Sequence, residues 1–226
     1  MMSKKQSMLF FISVEGINCE KMYFEHLAKL INNSDSVYKI KINVKKMQPY
    51  EFAKRSFHLY NANFKNNKKI PFFHIQDIED YYNTVQRNKF FTLVNELRKA
   101  EKDFRILYEL GYSNYTFELW LLLHVADMTH SVQNRNSYLA YVNRYFNKNY
   151  SNLNQYKQED EFCNILNEFI TLQSVKMAID RAEKILQYNI NNNKQQCYKK
   201  FNYFQNNPDL TVHRVVQKIF NTCEVK

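Results

Sequence analysis

LFFISVEGINCEKMYFEHL, residues 9–27, is the stretch whose reading decides the fold. Met8 to Val14 is apolar apart from Ser13 and lands on Glu15-Gly16; after a three-residue turn, Tyr23, Leu27, Leu30 and Ile31 recur at helical spacing. The unit reads as strand, carboxylate, tight turn, helix. The chain has only 2 glycines, where usage averages about 7%. Gly16, directly after an acid at a strand end, is therefore expected to let the chain turn in a way a Cβ would forbid. Ligands of open α/β sheets bind beyond the carboxyl ends of the strands, which makes Glu15 a candidate functional acid. Taken alone, an ordinary turn with a solvated Glu is the simpler reading.

Working outward, Tyr38 to Val44 alternates, with Tyr38, Ile40, Ile42 and Val44 against Lys39, Lys41 and Asn43, the pattern of a half-buried strand near a sheet edge. Pro49 can occupy the first position of the next helix. Ile70 to Gln76 is a third strand running into Asp77-Ile78-Glu79-Asp80, a short helix covers about Lys89 to Arg98, and Phe104 to Leu107 is the fourth strand, with Gly111 in the turn after it. Strand and helix alternate, so the expected architecture is α/β with a mostly parallel central sheet of about four strands flanked by helices. Thr116 is a candidate cap for the Leu-rich helix that holds Glu118 and Trp120, the latter expected in the core. From Ser137 the pattern is helical, broken by an Asn-, Gln- and Lys-rich loop at 189–207 before a final helix capped by Thr211. The organisation expected is an α/β domain over 1–135 with a helical region over 136–226 packed on it, or one continuous domain over 1–226.

The net charge is +10, from 32 Lys plus Arg against 22 Asp plus Glu. Such a surplus favours a polyanion partner, DNA or RNA, although an AT-rich coding sequence would enrich lysine too. Lys54 and Arg55, with Lys65, Lys68 and Lys69 after them, interleave with Tyr60 and Phe64; Lys199 and Lys200 sit among aromatics. Both groups suit phosphate contacts beside stacking rings, and both have a plainer reading as solvated surface. The 4 cysteines lie far apart without zinc spacing, so reduced thiols are expected. The opening apolar run lacks a signal-peptide cleavage site and no run is long enough to span a bilayer, so a soluble cytoplasmic protein is expected. With 2 glycines the chain carries neither a P-loop nor a dinucleotide fingerprint; any ATP would be bound by another subunit.

Parallel strands bring their carboxyl ends to one edge, which here would gather Glu15, Asp77, Glu79 and Asp80. Glu118 either completes this cluster or simply caps its helix. Hard oxygen donors in this number suit Mg²⁺ or Mn²⁺, and adjacent carboxylates repel unless a cation neutralises them. His124 is read first as a hydrogen-bonded core histidine and second as a ligand. Asn114 either orders the loop near the site or makes an Asx-turn.

VEG at 14–16 with EKMYFEHL after it, DIED at 77–80, SNYTFELWLLLH at 113–124 and NPDLTVHRVVQKI at 207–219 together resemble the RloB family. The resemblance spans almost the whole chain, and SNYTFELWLLLH is its most specific part. It implies a Toprim-like Rossmannoid fold. It also implies an acid/base role for Glu15 and a Mg²⁺ role for Asp77 and Glu79. Toprim domains usually carry Asp where Glu79 stands, and Asp80 could substitute. The implied setting is bacterial anti-phage defence, near restriction genes and beside a partner ATPase encoded nearby.

The function expected is thus a metal-dependent nuclease cleaving DNA or RNA, tRNA among the candidates, with Glu15 and Glu118 catalytic and Asp77, Glu79 and Asp80 on the metal. The rival is a catalytically degenerate Toprim-like subunit that works through the partner ATPase; primase-type nucleotidyl transfer is a weaker third. Self-association into a homo-oligomer stays open.

Overall fold

The apolar run near the head of the chain forms strand β1 (Gln6–Val14), and Phe10 to Val14 are all buried. A strand covered on both faces must lie inside a sheet with a helical layer on each side. The structure, a computed structural model, describes residues 5–16, 18–63, 70–79 and 81–225; Asp80 and the Phe64–Lys69 stretch lie outside the described residues. After β1 come α1 (Cys19–Asn32), β2 (Tyr38–Lys46), α2 (Pro49–Asn63), β3 (Phe72–Ile78), α3 (Thr84–Phe104) and β4 (Tyr108–Asn114). Then follow α4 (Glu118–Leu123), a 3-10 turn (Arg135–Ser137), α5 (Tyr138–Tyr145), α6 (Leu153–Tyr156), α7 (Glu159–Phe169) and α8 (Leu172–Asn192). The chain closes with β5 (Gln196–Tyr198), β6 (Phe201–Tyr203), β7 (Asp209–Leu210) and α9 (Val212–Thr222).

The central sheet has the order β2-β1-β3-β4-β7. Its first four strands are parallel, and β7 runs antiparallel to β4 with Asn114 opposite Asp209. The β1-to-β2 connection runs to one side and the β2-to-β3 connection crosses back. Right-handed crossovers then place α1 and α2 on opposite faces. Helix α2 packs with α3, and α1 with α7 and α8. At the β2 edge, Ile40, Ile42 and Val44 are buried while Lys39 and Lys41 are exposed, as the alternation predicts.

Several expectations shift. The short helix at 89–98 is longer, because Phe90, Leu93, Val94, Leu97 and Ala100 keep one buried stripe along α3 to Phe104. The fourth strand therefore lies at Tyr108–Asn114 rather than 104–107, and Gly111 sits inside it rather than in a turn. A Cβ on Gly111 would lie 2.9 Å from Ile75 Cδ1, 3.0 Å from Val215 Cγ2 and 3.2 Å from Val212 Cα, so this glycine lets α9 approach the sheet. The third strand runs to Ile78, which places Asp77 within it. Neither expected threonine cap operates: Thr211 Oγ1 donates to Leu110 O at 2.9 Å, and the residue at the N-cap of α4 is Phe117, which offers no side-chain cap. The 189–207 loop holds a hairpin, with Lys199 and Lys200 both at positive φ (45° and 65°), the conformation of a tight two-residue turn.

A fifth strand, β7, and the sheet-packing helix α9 come from the C-terminal part of the chain, and the buried apolar side chains from Phe10 to Cys223, Leu186 and Phe204 apart, form one continuous cluster. Trp120 is fully buried in it. Among the described residues no disulfide forms, and no helix is long and apolar enough to cross a membrane.

Candidate functional site

The strand order reverses between the parallel neighbours β1 and β3, the place where open α/β sheets leave a crevice at their carboxyl edge. Glu15 is the first residue beyond β1, and its N–H donates to Ile75 O at 3.1 Å, keeping it in step with β3. Asp77 is the penultimate residue of β3. Its N–H donates to Glu15 Oε2 at 3.3 Å, and Gln76 Nε2 donates to the same oxygen. A cleft of about 340 Å³ opens here, walled by the carboxylates Glu15, Glu20, Asp77 and Glu79 and by the cations Lys46, Arg135 and Lys157.

Behind the cleft the acids are tied together. Asp77 Oδ2 lies 3.2 Å from Thr116 Oγ1, whose hydroxyl also touches the Glu118 carboxylate; its single hydrogen can serve only one of them. Asp77 Oδ1 is buried with no hydrogen-bond partner. Glu118, fully buried, receives the Tyr156 hydroxyl and, at 2.9 Å, the Lys157 ammonium. Arg135 lies 4.0 Å from Glu118 and 3.6 Å from Glu79, which also accepts from Gln86 Nε2 at 2.9 Å.

These surroundings drive the carboxyls apart. Burial pushes Asp77 well above the usual carboxylate range, and Glu20, Glu118 and Glu15 push it further. Burial also raises Glu15, against the opposing Asp77 N–H, and raises Glu20. Glu118 goes the other way: burial would raise it, but the Lys157 ammonium and the bonds from Thr116 and Tyr156 outweigh burial and hold it below its usual value. One buried acid is thus kept ionised beside others that resist ionisation.

The donors suit a hard cation, because Asp77 Oδ1 lacks a donor and the neighbouring carboxyls repel one another. Among the described residues no three of His, Cys, Asp and Glu already converge on one ion-sized point. A divalent ion here would therefore rest on one or two carboxylates and complete its shell with water or substrate phosphate, as Mg²⁺ usually does.

Of the residues singled out from sequence, Glu15, Gly16, Asp77 and Glu79 line the cleft, Glu118 lies directly behind it, and Asp80 falls outside the described residues. Gly16 does not have positive φ; a Cβ there would collide with the Glu20 carboxylate, so the glycine makes room for that acid rather than for a special turn. His124 belongs to the core. Its Nδ1–H donates to Trp120 O at 2.9 Å, its Nε2 accepts from Tyr23 at 3.1 Å, and burial holds it neutral, down at about 4. Asn114 ends β4, donating to Gln205 O at 3.1 Å away from the cleft. Lys54 and Arg55 are exposed on α2, where Arg55 pairs with Glu51 at 2.6 Å. Lys199 and Lys200 turn the hairpin beside α3, where Arg98 Nε donates to Lys199 O at 2.9 Å. None of these four basic residues lines the cleft.

The cations that do line it were not anticipated. Lys46, at the carboxyl end of β2, carries a local signal that strand topology could have flagged. Glu20, in the first turn of α1, carries one as well. Arg135, at the boundary between the two halves, and Tyr156 and Lys157, from the helical half, carry none. A family model described as RloB-like protein matches residues 10–219. No curated protein and no solved structure matches the chain.

Proposed function

The chain belongs to the RloB-like family, and from that premise and the geometry of its cleft we propose a metal-dependent nuclease of Toprim-like type that hydrolyses phosphodiester bonds of DNA or RNA. The observation that carries the reading is the meeting of Glu15 and Asp77 at the switch point, with Asp77 Oδ1 left without a donor. The Toprim-like assignment is supported by the 2-1-3-4 order of the parallel strands with an acid at the ends of β1 and β3.

Asp77 and Glu79 are the residues that would hold Mg²⁺ or Mn²⁺. When bound, such an ion polarises a phosphodiester and lowers the pKa of its water. Glu15, raised above its usual value, suits a proton transfer at the attacking water or the leaving oxygen. Arg135 and Lys46 set positive charge along the cleft for the substrate's phosphates, and Lys157 keeps Glu118 ionised. The setting we propose is anti-phage defence or abortive infection in the bacterial cytoplasm, together with a partner ATPase; the family resemblance supports it. The test is cleavage of plasmid, single-stranded DNA and tRNA with Mg²⁺ or Mn²⁺ by wild type, Glu15→Ala and Asp77→Ala. Both variants should lose activity, and equal activity in all three proteins would refute the assignment.

The rival, a catalytically silent subunit acting through the ATPase, is favoured by one observation. Glu79 is occupied by Arg135 and Gln86, and Glu118 by Lys157, so the chain's own cations already neutralise part of the cluster. It predicts a stable complex with the ATPase and no heat on titration with Mn²⁺.

A further inference from the structure

We propose that Gln76, held in place by His74 and Ser13, is a positioning residue that clamps one oxygen of the Glu15 carboxylate and leaves the other facing the cleft. Gln76 Nε2 and Asp77 N–H both reach Glu15 Oε2, and among the described residues no side chain or backbone group bonds Oε1. A carboxylate pinned through one oxygen presents the second in a defined direction, which is the geometry that proton transfer requires.

The orientation of Gln76 is dictated by what lies behind it. Its Nε2 donates to Glu15 and, at 3.1 Å, to Asp77 O, so its Oε1 must accept. That oxygen faces His74 Nε2 at 3.2 Å, which puts the imidazole hydrogen on Nε2. His74 Nδ1 must then accept, and the Ser13 hydroxyl lies 2.8 Å away to donate. Ser13 in turn receives Tyr108 OH at 2.9 Å. Residues two apart on a strand share a face, so Ser13, His74 and Gln76 line up along the α2 side of β1 and β3, below Pro49, whose carbonyl lies 3.3 Å from Tyr108 OH. Ser13 Oγ also lies 3.3 Å from Phe73 O, and His74 Nδ1, at 2.8 Å, is the nearer of its two acceptors. Flipping the Gln76 amide would set Oε1 against the Glu15 carboxylate and Nε2 against the His74 N–H, two repulsive contacts at once. His74 and Ser13 are buried, so the arrangement is screened from water and polarised along its length.

The orientation stands on hydrogen bonds alone. Only its catalytic consequence rests on the nuclease reading. The experiment uses the full chain and two readouts: the side-chain amide signals of Gln76 by ¹⁵N-resolved NMR, and kcat and KM for Mg²⁺-dependent cleavage. In wild type the two Gln76 amide protons should be well separated and far from the positions of a free glutamine. Ser13→Ala, which removes only a hydroxyl, and His74→Phe should draw them toward the free positions, and His74→Gln, which can offer an amide N–H in place of Nε2–H, should restore them. Over the same series kcat should fall on the order of 10- to 100-fold, as for other groups that orient a catalytic ligand, with KM unchanged and kcat recovering in His74→Gln. Gln76 signals unmoved in folded Ser13→Ala and His74→Phe would overturn the proposal, as would signals that move while kcat holds. Signals that move across the variant series while wild type cleaves nothing would support the orientation and overturn the nuclease reading instead.

Discussion

Lys157 Nζ lies 2.9 Å from Glu118 Oε1, so an ammonium from the helical half holds the charge of a fully buried acid behind the cleft. Removing one partner of such a pair strands the other. Lys157→Met should destabilise the protein by about 2–3 kcal/mol. That is below the about 3–5 kcal/mol of a fully buried pair, because Lys157 is partly exposed and Thr116 and Tyr156 still bond Glu118. Adding Glu118→Gln to Lys157→Met should recover part of the loss. Urea unfolding of the single and double variants checks this, and additive losses would mean that the pair is not coupled.

Asp209, buried in β7, makes stability fall with pH in the opposite direction to a salt-bridged acid. Burial pushes its pKa up to about 6, against the bonds it accepts from Tyr112, Phe204 N–H and Asn189. The folded state then holds its proton more tightly than the unfolded chain. The contribution is full below the unfolded value near 4 and is lost as pH rises through about 6, by about 3 kcal/mol at about 1.4 kcal/mol per pKa unit. The difference in urea midpoint between wild type and Asp209→Asn should therefore change between pH 4 and 7 and level off above that. A constant difference across this range would contradict the assignment.

The two glycines should respond oppositely to alanine. At Gly111 the new methyl meets Ile75, Val215 and the α9 backbone at 2.9–3.2 Å, inside a packed core. Gly111→Ala should cost about 1–3 kcal/mol. At Gly16 the three nearest atoms all belong to the carboxylate at the far end of the Glu20 side chain, which can swing aside, so Gly16→Ala should leave the thermal midpoint nearly unchanged while displacing Glu20 within the cleft. Thermal melts separate the two, and equal losses would show that Gly16 carries a backbone constraint after all.

Ion binding should depend on Asp77 more than on Glu79. Asp77 Oδ1 has no competing donor, whereas Glu79 is shared with Arg135 and Gln86. Mn²⁺ followed by electron paramagnetic resonance should bind wild type, bind Glu79→Gln more weakly and fail to bind Asp77→Asn. Equal binding by all three would place the ion elsewhere.

The amino-acid sequence by itself determined the α/β class, the strand-and-turn reading of residues 9–27, the edge character of β2, the family, and Glu15, Asp77 and Glu79, three of the four acids that line one cleft. Those features are local: hydrophobic period sets strand or helix, and parallel strands put their carboxyl ends on one edge whatever else the chain does. Element ends were less legible. Phe104 to Leu107 is as apolar as a strand, yet α3 runs to Phe104 because its buried stripe extends that far, and Gly111 signals a turn until α9 is seen to pack on it. His124 is the core histidine that its first reading from sequence made it, whereas only the tertiary structure decided that Gly16 makes room for Glu20 and that Lys157, Tyr156 and Arg135 govern Glu118. It alone joined Ser13, His74 and Gln76 to Glu15. The reason is physical: ionisation and hydrogen-bond direction depend on what lies within a few ångströms in space, and the groups that set them here come from widely separated stretches of chain, with no spacing in sequence to mark their meeting.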